Sequence, residues 1–271
     1  MPKVLISDKL SDAAVEIFRQ NGVEVDFRPE LGKDPAKLAE IIGNYDGLAI
    51  RSATKVTADL IAKANNLRVI GRAGIGVDNV DISAASARGI VVMNTPFGNS
   101  ITTAEHAIAM MFALAREIPA ADASTRAGKW EKNRFMGVEI TGKTLGLIGA
   151  GNIGSVVASR AIGLKMKVLA YDPFLSTERA QAMGVTKVED LDEVLAKADF
   201  VTLHLPKTEK TANLISAERI AAMKPGARLI NCARGGLVDE VALAAALHAG
   251  HIAGAALDVF EVEPATENPL F

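Results

Sequence analysis

"TLGLIGAGNIG", residues 144–154, runs a short apolar segment into three glycines spaced as Gly149-x-Gly151-x-x-Gly154. The spacing alone is common. Its setting decides the reading: the apolar run suits a buried strand, and "NIGSVVASRAIGL" suits a helix opening at the third glycine. Each glycine then has its own task. Gly149 permits the tight turn, Gly151 lets a pyrophosphate reach the backbone, and Gly154 lets helix and strand pack closely. A phosphate there meets free N–H groups and the positive end of the helix dipole. The next strand, "KVLAYD", ends in Asp172. A carboxylate at that place can bond a ribose diol and repels a 2′-phosphate. NAD, rather than NADP, is the expected cofactor.

The same rhythm extends outward in both directions. Toward the C-terminus, "FVTLHLP", "RLINCAR" and "AGAALDVF" read as further strands with helices between them. Toward the N-terminus, "KVLIS", "VEVDFR", "GLAIRS", "LRVIGRA" and "IVVMNTP" alternate with helix candidates such as "SDAAVEIFRQNG", where Ser11 is the N-cap and Gly22 the C-cap. Short continuous apolar runs suit parallel strands covered on both faces. "PFGNSITTAEHAIAMMFALAREI" breaks the rhythm with a long apolar helix, in which Thr102 and Glu105 are spaced as a capping box. The stretch after it, "ADASTRAGKWEKNRFMGVEITGK", reads as less regular. The expected fold is α/β with two parallel-sheet domains. Their expected bounds are residues 1–97 and 98–271, with the dinucleotide turn in the second.

Composition agrees with that architecture. The chain has 271 residues, 49% hydrophobic and 23% charged, which suffices for two cores. The formal net charge of −2 gives no basic excess for nucleic acid or an anionic membrane. A single cysteine, Cys232, fits a reducing cytosol. The opening "MPKVLISDKL" is too short in its apolar run for a signal peptide, and no stretch approaches a membrane span. A cytoplasmic protein with a small-molecule substrate is expected.

"RLINCARGGLVDE" points to chemistry. Ligands of open α/β sheets bind at the carboxyl ends of strands, and Arg234 stands at such an end before two glycines. A planar guanidinium there can clamp a carboxylate and polarise a neighbouring carbonyl. The final "ALDVFEVEP" adds two acids, Glu261 and Glu263, in a loop after a strand.

Several of these segments carry a resemblance. "GRAGIGVDNVD", "NTPFGNSITTAEH", "GKTLGLIGAGNIG", "VTLHLP", "INCARGGLVDE" and "ALDVFEVEP" resemble, in order and spacing, the D-isomer-specific 2-hydroxyacid dehydrogenases, closest to members acting on phosphoglycerate. The resemblance implies NAD-dependent hydride transfer from C2 of 3-phosphoglycerate, giving 3-phosphohydroxypyruvate, the entry step of serine biosynthesis. It implies a flavodoxin-like substrate-binding domain over residues 1–97 and a Rossmann NAD-binding domain over residues 98–271 that lacks its last strand. It implies that Arg234 binds the substrate carboxylate and carbonyl, and that Glu263 pairs with a catalytic histidine. Arg51, Ser52, Gly74, Ile75, Gly76 and Asn99 match substrate-side positions. Arg134, in "KNRFMG", matches a basic residue near the phosphate. Asn152, Ile153, Asp172, His204, Cys232, Ala233 and Asp258 match dinucleotide contacts. The family is at least dimeric, and the apolar face of residues 101–118 suits a homodimer or homotetramer.

The family's histidine lies in a Pro-His-x-Gly-type segment beyond Glu263, and no histidine follows Glu263 here. His106 reads as a packed or interface residue, His204 as a cofactor-edge residue, and His248 and His251 as a helix-to-strand turn far from the site. The chain is therefore expected to be a fragment with little dehydrogenase activity of its own. Two other readings stay open. One is a catalytically inactive NAD-binding protein or sensor. The other is a dehydrogenase for another 2-hydroxy acid, such as glyoxylate or lactate.

Overall fold

A computed structural model describes residues 1–271, which divide into two compact units, Met1–Asn99 and Ser100–Phe271. In the first, β1 (Lys3–Ile6), α1 (Asp12–Gln20), β2 (Glu24–Phe27), α2 (Pro35–Ile41), β3 (Gly47–Ile50), α3 (Ala58–Lys63), β4 (Val69–Arg72), α4 (Ile82–Ala87) and β5 (Val91–Asn94) alternate along the chain. All five strands are parallel, in the order β2-β1-β3-β4-β5. That is the flavodoxin-like order.

Alternation along β1 shows why the sheet needs helices on both faces. Leu5 joins Leu38, Leu48, Leu60 and Ile70 on one side, while Val4 and Ile6 join Val15 of α1 on the other. Removing each such side chain from water contributes about 1.5–3 kcal/mol. Ser11 caps α1 as expected, with its side chain accepting from Ala14 N–H. Gly22, just past the helix, has φ of +72°, the left-handed turn that favours glycine.

The second unit begins with α5 (Ser100–Ala115) and α6 (Ile118–Arg126), followed by β6 (Thr144–Ile148), α7 (Asn152–Gly163), β7 (Lys167–Tyr171), α8 (Thr177–Met183) and β8 (Thr186–Lys187). Then come α9 (Leu191–Lys197), β9 (Phe200–Leu203), α10 (Ala217–Ala222), β10 (Arg228–Asn231), α11 (Glu240–His248) and β11 (Gly254–Leu257). The six strands are parallel in the order β11-β10-β9-β6-β7-β8. Counted from β6, this is the Rossmann order 3-2-1-4-5-6 read from its far edge.

One core holds α5 and α7 against Leu145, Leu147, Val168 and Ile230. The other holds α9, α10 and α11 against Val201, Leu203 and Leu229. Gly146 sets the closeness of that second layer. A Cβ there would lie 2.8 Å from Val194 Cγ1 and 3.0 Å from Ala198 Cβ, so α9 rests directly on the strand.

Two expectations from sequence fail locally, and one strand was not expected. The irregular stretch after α5 contains a helix, α6, started by Pro119 in its first turn. Thr102 caps nothing, because α5 already begins at Ser100. The two-residue strand β8 was too short to register as a pattern.

Candidate active site

The turn between β6 and α7 is shaped by contacts that only glycine allows. Gly149 has φ of +93°, and a Cβ on it would lie 2.4 Å from the carbonyl oxygen of His204. A Cβ on Gly154 would lie 2.1 Å from Gly149 O. Gly151 is the reverse case: nothing lies within 4 Å of where its Cβ would be. It is also the N-cap of α7 and supplies no side-chain acceptor. Side chains of Ser11, Asp34, Thr57, Asp81, Ser176, Asp190, Ser216 and Asp239 cap α1–α4 and α8–α11. The start of α7 thus lacks a side-chain cap and has room beside Gly151, which suits a pyrophosphate.

Asp172 follows β7 and folds toward this turn. Its carboxylate accepts from Ala150 N–H and Phe174 N–H, each at 2.8 Å. It therefore braces the glycine turn and retains further acceptor capacity for a ligand hydroxyl. Arg179 also reaches the turn, with Nη2 donating to Ala150 O at 3.3 Å. Asn152 opens α7, its carbonyl accepting from Ser155 Oγ. Ile153 is half-buried against the core beneath the helix.

His204 stands just past β9, its backbone crossing the glycine turn. Its Nε2 pairs with Thr202 Oγ1 at 2.8 Å, while Nδ1 is buried without a partner. Burial pushes the imidazole down to about 4, so it is neutral at pH 7. An unpartnered buried nitrogen beside an uncapped helix start is the feature a bound polar ligand would satisfy. The residues present therefore fit a dinucleotide.

The turn after β10 is built differently. Asn231, 1% exposed, staples it from both sides: Oδ1 accepts from Ala233 N–H at 3.0 Å, and Nδ2 donates to Arg234 O at 2.9 Å. Arg234 is half-buried and its Nη1 donates to Ala233 O at 2.7 Å. A Cβ on Gly235 would lie 1.7 Å from Phe260 O, so the loop after β11 lies directly on this turn. Within that loop, Glu263 Oε1 accepts from Phe260 N–H at 3.0 Å. Asp258 N–H donates to Asn231 O at 3.0 Å, setting Asp258 beside Cys232 at the carboxyl edge. Cys232 is buried with its sulfur 3.3 Å from Met110 Sδ. Burial, aided by the Asp258 charge, pushes its thiol up to about 12, so it is no nucleophile at neutral pH.

The four histidines can now be placed. His106 is not packed away: its side chain is half exposed and Nε2 lies 3.6 Å from Asp258 Oδ1. His248 Nδ1 meets Ala244 O, and His251 Nε2 meets Ile220 O, both before β11 at the amino end of the sheet. The partners that these residues and His204 make do not include Glu263.

The first unit gathers its own candidates at the carboxyl ends of β3 and β4. Arg51 N–H donates to the buried Asp8 carboxylate, which also accepts from Thr54 N–H at 3.2 Å. Asn79 Nδ2 ties Arg51 O and Thr54 O together at 2.6 and 2.7 Å. Ser52 lies exposed within this loop. Gly74 follows β4 with no room for a Cβ beside the Arg72 guanidinium, and Ile75 O accepts from Asn94 Nδ2 at 2.6 Å. Gly76 continues the same loop, and Asn99 is exposed at the end of the unit. Arg134, in the second unit, is occupied locally by Glu131 at 3.4 Å and the Phe135 ring.

Sequence reasoning missed Asp8, Asn79, Asn231 and Glu240. Each is a polar residue buried or half-buried beside a strand-end turn. Asn231 carried a readable signal, a lone amide closing an apolar strand.

Comparison with known proteins agrees with this geometry. The sequence profile for the D-isomer specific 2-hydroxyacid dehydrogenase NAD binding domain matches residues 108–271. The chain belongs to the D-isomer specific 2-hydroxyacid dehydrogenase family. It is 52% identical to a D-3-phosphoglycerate dehydrogenase from Synechocystis, over all of this chain and 48% of that protein. It is 51% identical to one from Archaeoglobus fulgidus, over 99% of this chain and 50% of that one. The chain thus spans about half the length of these curated relatives. Among solved structures, a glyoxylate reductase from Paecilomyes thermophila is 32% identical with a TM-score of 0.90, covering 99% of this chain and 84% of that one. A D-lactate dehydrogenase from Aquifex aeolicus, complexed with NAD and lactic acid, is 29% identical with a TM-score of 0.85, covering 96% and 77%. No helix is long and apolar enough to cross a membrane.

Proposed function

We propose that the chain takes part in NAD-dependent oxidation of 3-phosphoglycerate to 3-phosphohydroxypyruvate. The observation that carries this reading is Arg234, held by the Asn231 staple at the carboxyl end of the dinucleotide-binding sheet. When bound, NAD⁺ supplies the acceptor for the hydride leaving C2 of the substrate. The Arg234 guanidinium binds the substrate carboxylate and polarises the C2 oxygen as its proton departs. Glu263 is the carboxylate that orients the proton-transfer group. Gly149, Gly151, Asn152, Ile153 and Gly154 hold the pyrophosphate, Asp172 the ribose diol, and His204, Cys232, Ala233 and Asp258 the remaining cofactor edge. Arg51, Ser52, Gly74, Ile75 and Gly76 offer main-chain N–H groups and one guanidinium to an anion. Asn99 and Arg134 are further substrate-side candidates. Residues 1–97 are the substrate-binding domain and 98–271 the NAD-binding domain of a cytoplasmic homodimer or homotetramer.

A second reading, NAD binding without turnover, draws on the partners of the four histidines, which do not include Glu263. The likeness to a glyoxylate reductase and a D-lactate dehydrogenase supports a third, another 2-hydroxy acid. NADH titration by protein-sensitised fluorescence, with turnover of 3-phosphoglycerate, glycolate and lactate, separates them. Phosphoglycerate turnover that falls about a hundredfold in kcat/KM in Arg234→Ala supports the first reading. Wild-type kinetics in that variant refute the clamp, and NADH binding without any turnover selects the second reading.

A further inference from the structure

Glu240 is a buried carboxylate with no place in the chemistry above. It is 7% exposed, at the first position of α11, a helix fixed by its Asp239 cap and by Leu243 in the core. Its two oxygens both serve the loop after β11. Oε1 accepts from Glu261 N–H at 2.7 Å and Oε2 from Asn268 Nδ2 at 2.6 Å. Asn268 in turn accepts from Leu270 N–H at 3.0 Å. A buried carboxylate is tolerable only when its oxygens are bonded in this way. The two anchor points, Glu261 and Asn268, bracket Glu263. Just before them, Phe260 presses its carbonyl onto Gly235, next to Arg234.

We infer that Glu240 is a positioning residue, whose carboxylate fixes the loop from Glu261 to Asn268 and so sets Glu263 relative to Arg234. The inference rests on the reading of Arg234 and Glu263 as site residues. Glu240 reads the two as one unit: it begins the helix that follows the Arg234 turn and grips the loop that carries Glu263. Loss of the grip frees the loop at Glu261, next to the Glu263–Phe260 bond.

The test compares Glu240→Ala, Glu240→Gln and Asn268→Ala in the NAD-loaded protein. Amide hydrogen exchange at Phe260 and Glu261 is read alongside kcat and KM for 3-phosphoglycerate and the affinity for NADH. In Glu240→Ala, exchange at both amides rises by about tenfold or more, as expected for a lost hydrogen bond. Turnover falls with it while NADH affinity holds. Glu240→Gln keeps an acceptor for Glu261 N–H but turns a donor toward Asn268 Nδ2, so it recovers most of both readouts and matches Asn268→Ala. Asn268→Ala loosens only the second anchor and gives a smaller rise, and it carries the test if Glu240→Ala does not fold. Unchanged exchange in Glu240→Ala, or a Gln variant as impaired as the Ala variant, overturns the positioning role. Glu263→Gln separates this from the reading of the site. If that variant turns over normally, the role of Glu263 fails while the exchange result for Glu240 stands.

Discussion

Two turns at the carboxyl edge of one sheet share one packing device and differ in a second. After β6, the glycine turn is made by absence: Gly149 and Gly154 leave out the Cβ atoms that would strike His204 O and Gly149 O. After β10, the arginine turn repeats that omission at Gly235 and adds side-chain bonds. Asn231 bonds it on both sides, and the loop from Phe260 lies against Gly235. Both draw on residues distant in sequence: Gly149 meets His204, and Asn231 meets Asp258. The first leaves a helix start open for a ligand, and the second holds a charged side chain in place.

The strongest way to break this contrast is to put a methyl into each turn. Gly154→Ala and Gly235→Ala both force backbone to move and should each cost on the order of 3 kcal/mol, seen as a lower melting temperature. Their ligand effects should differ. Gly154→Ala weakens NADH binding by about a hundredfold, because α7 must withdraw from the strand. Gly235→Ala weakens NADH binding less, through Ala233 and Asp258, and damages turnover more. Equal losses of NADH affinity in the two variants would erase the distinction.

His204 sharpens the contrast next. Its folded value of about 4 lies below the unfolded value of 6.5. Above pH 6.5 the imidazole is neutral in both states and adds no slope. As pH falls from 6.5 to 4 the unfolded chain binds a proton that the folded one refuses, so stability drops by up to about 3 kcal/mol. His204→Gln removes this component, measured as the difference between wild-type and variant urea unfolding across that window. Parallel curves would mean that His204 titrates alike in both states.

Asp172 gives the smallest effect. Asp172→Ala should raise binding of NADPH relative to NADH by about tenfold, since the carboxylate repels a 2′-phosphate. An unchanged ratio would confine Asp172 to bracing Ala150 and Phe174.

The glycine turn was readable because its signals lie close together in the sequence, although its contact with His204 does not. Strand, glycines, helix and acid each announce themselves within one βα unit. Parallel sheets follow from the same alternation, whereas the two strand orders came with the family resemblance. What stayed hidden acts through tertiary contact. Nothing adjacent to Glu240 in sequence shows that its partners are Glu261 and Asn268, and nothing adjacent to Asp8 shows that it organises the loop at Arg51. The capping-box spacing of Thr102 and Glu105 misled because Ser100 starts the helix two residues earlier. The α6 segment was passed over because its small polar residues show no apolar stripe, although Pro119 marked its start.

Cys232 has a practical consequence of another kind. It is the only thiol in the sequence, and burial keeps it protonated at neutral pH. Alkylating reagents act on thiolates, so a cysteine introduced at an exposed position would capture such a reagent while Cys232 stays silent. A spin label or fluorophore can therefore be attached beside either turn without first removing the native cysteine. The loop that carries Glu263 can then be watched directly as ligands arrive.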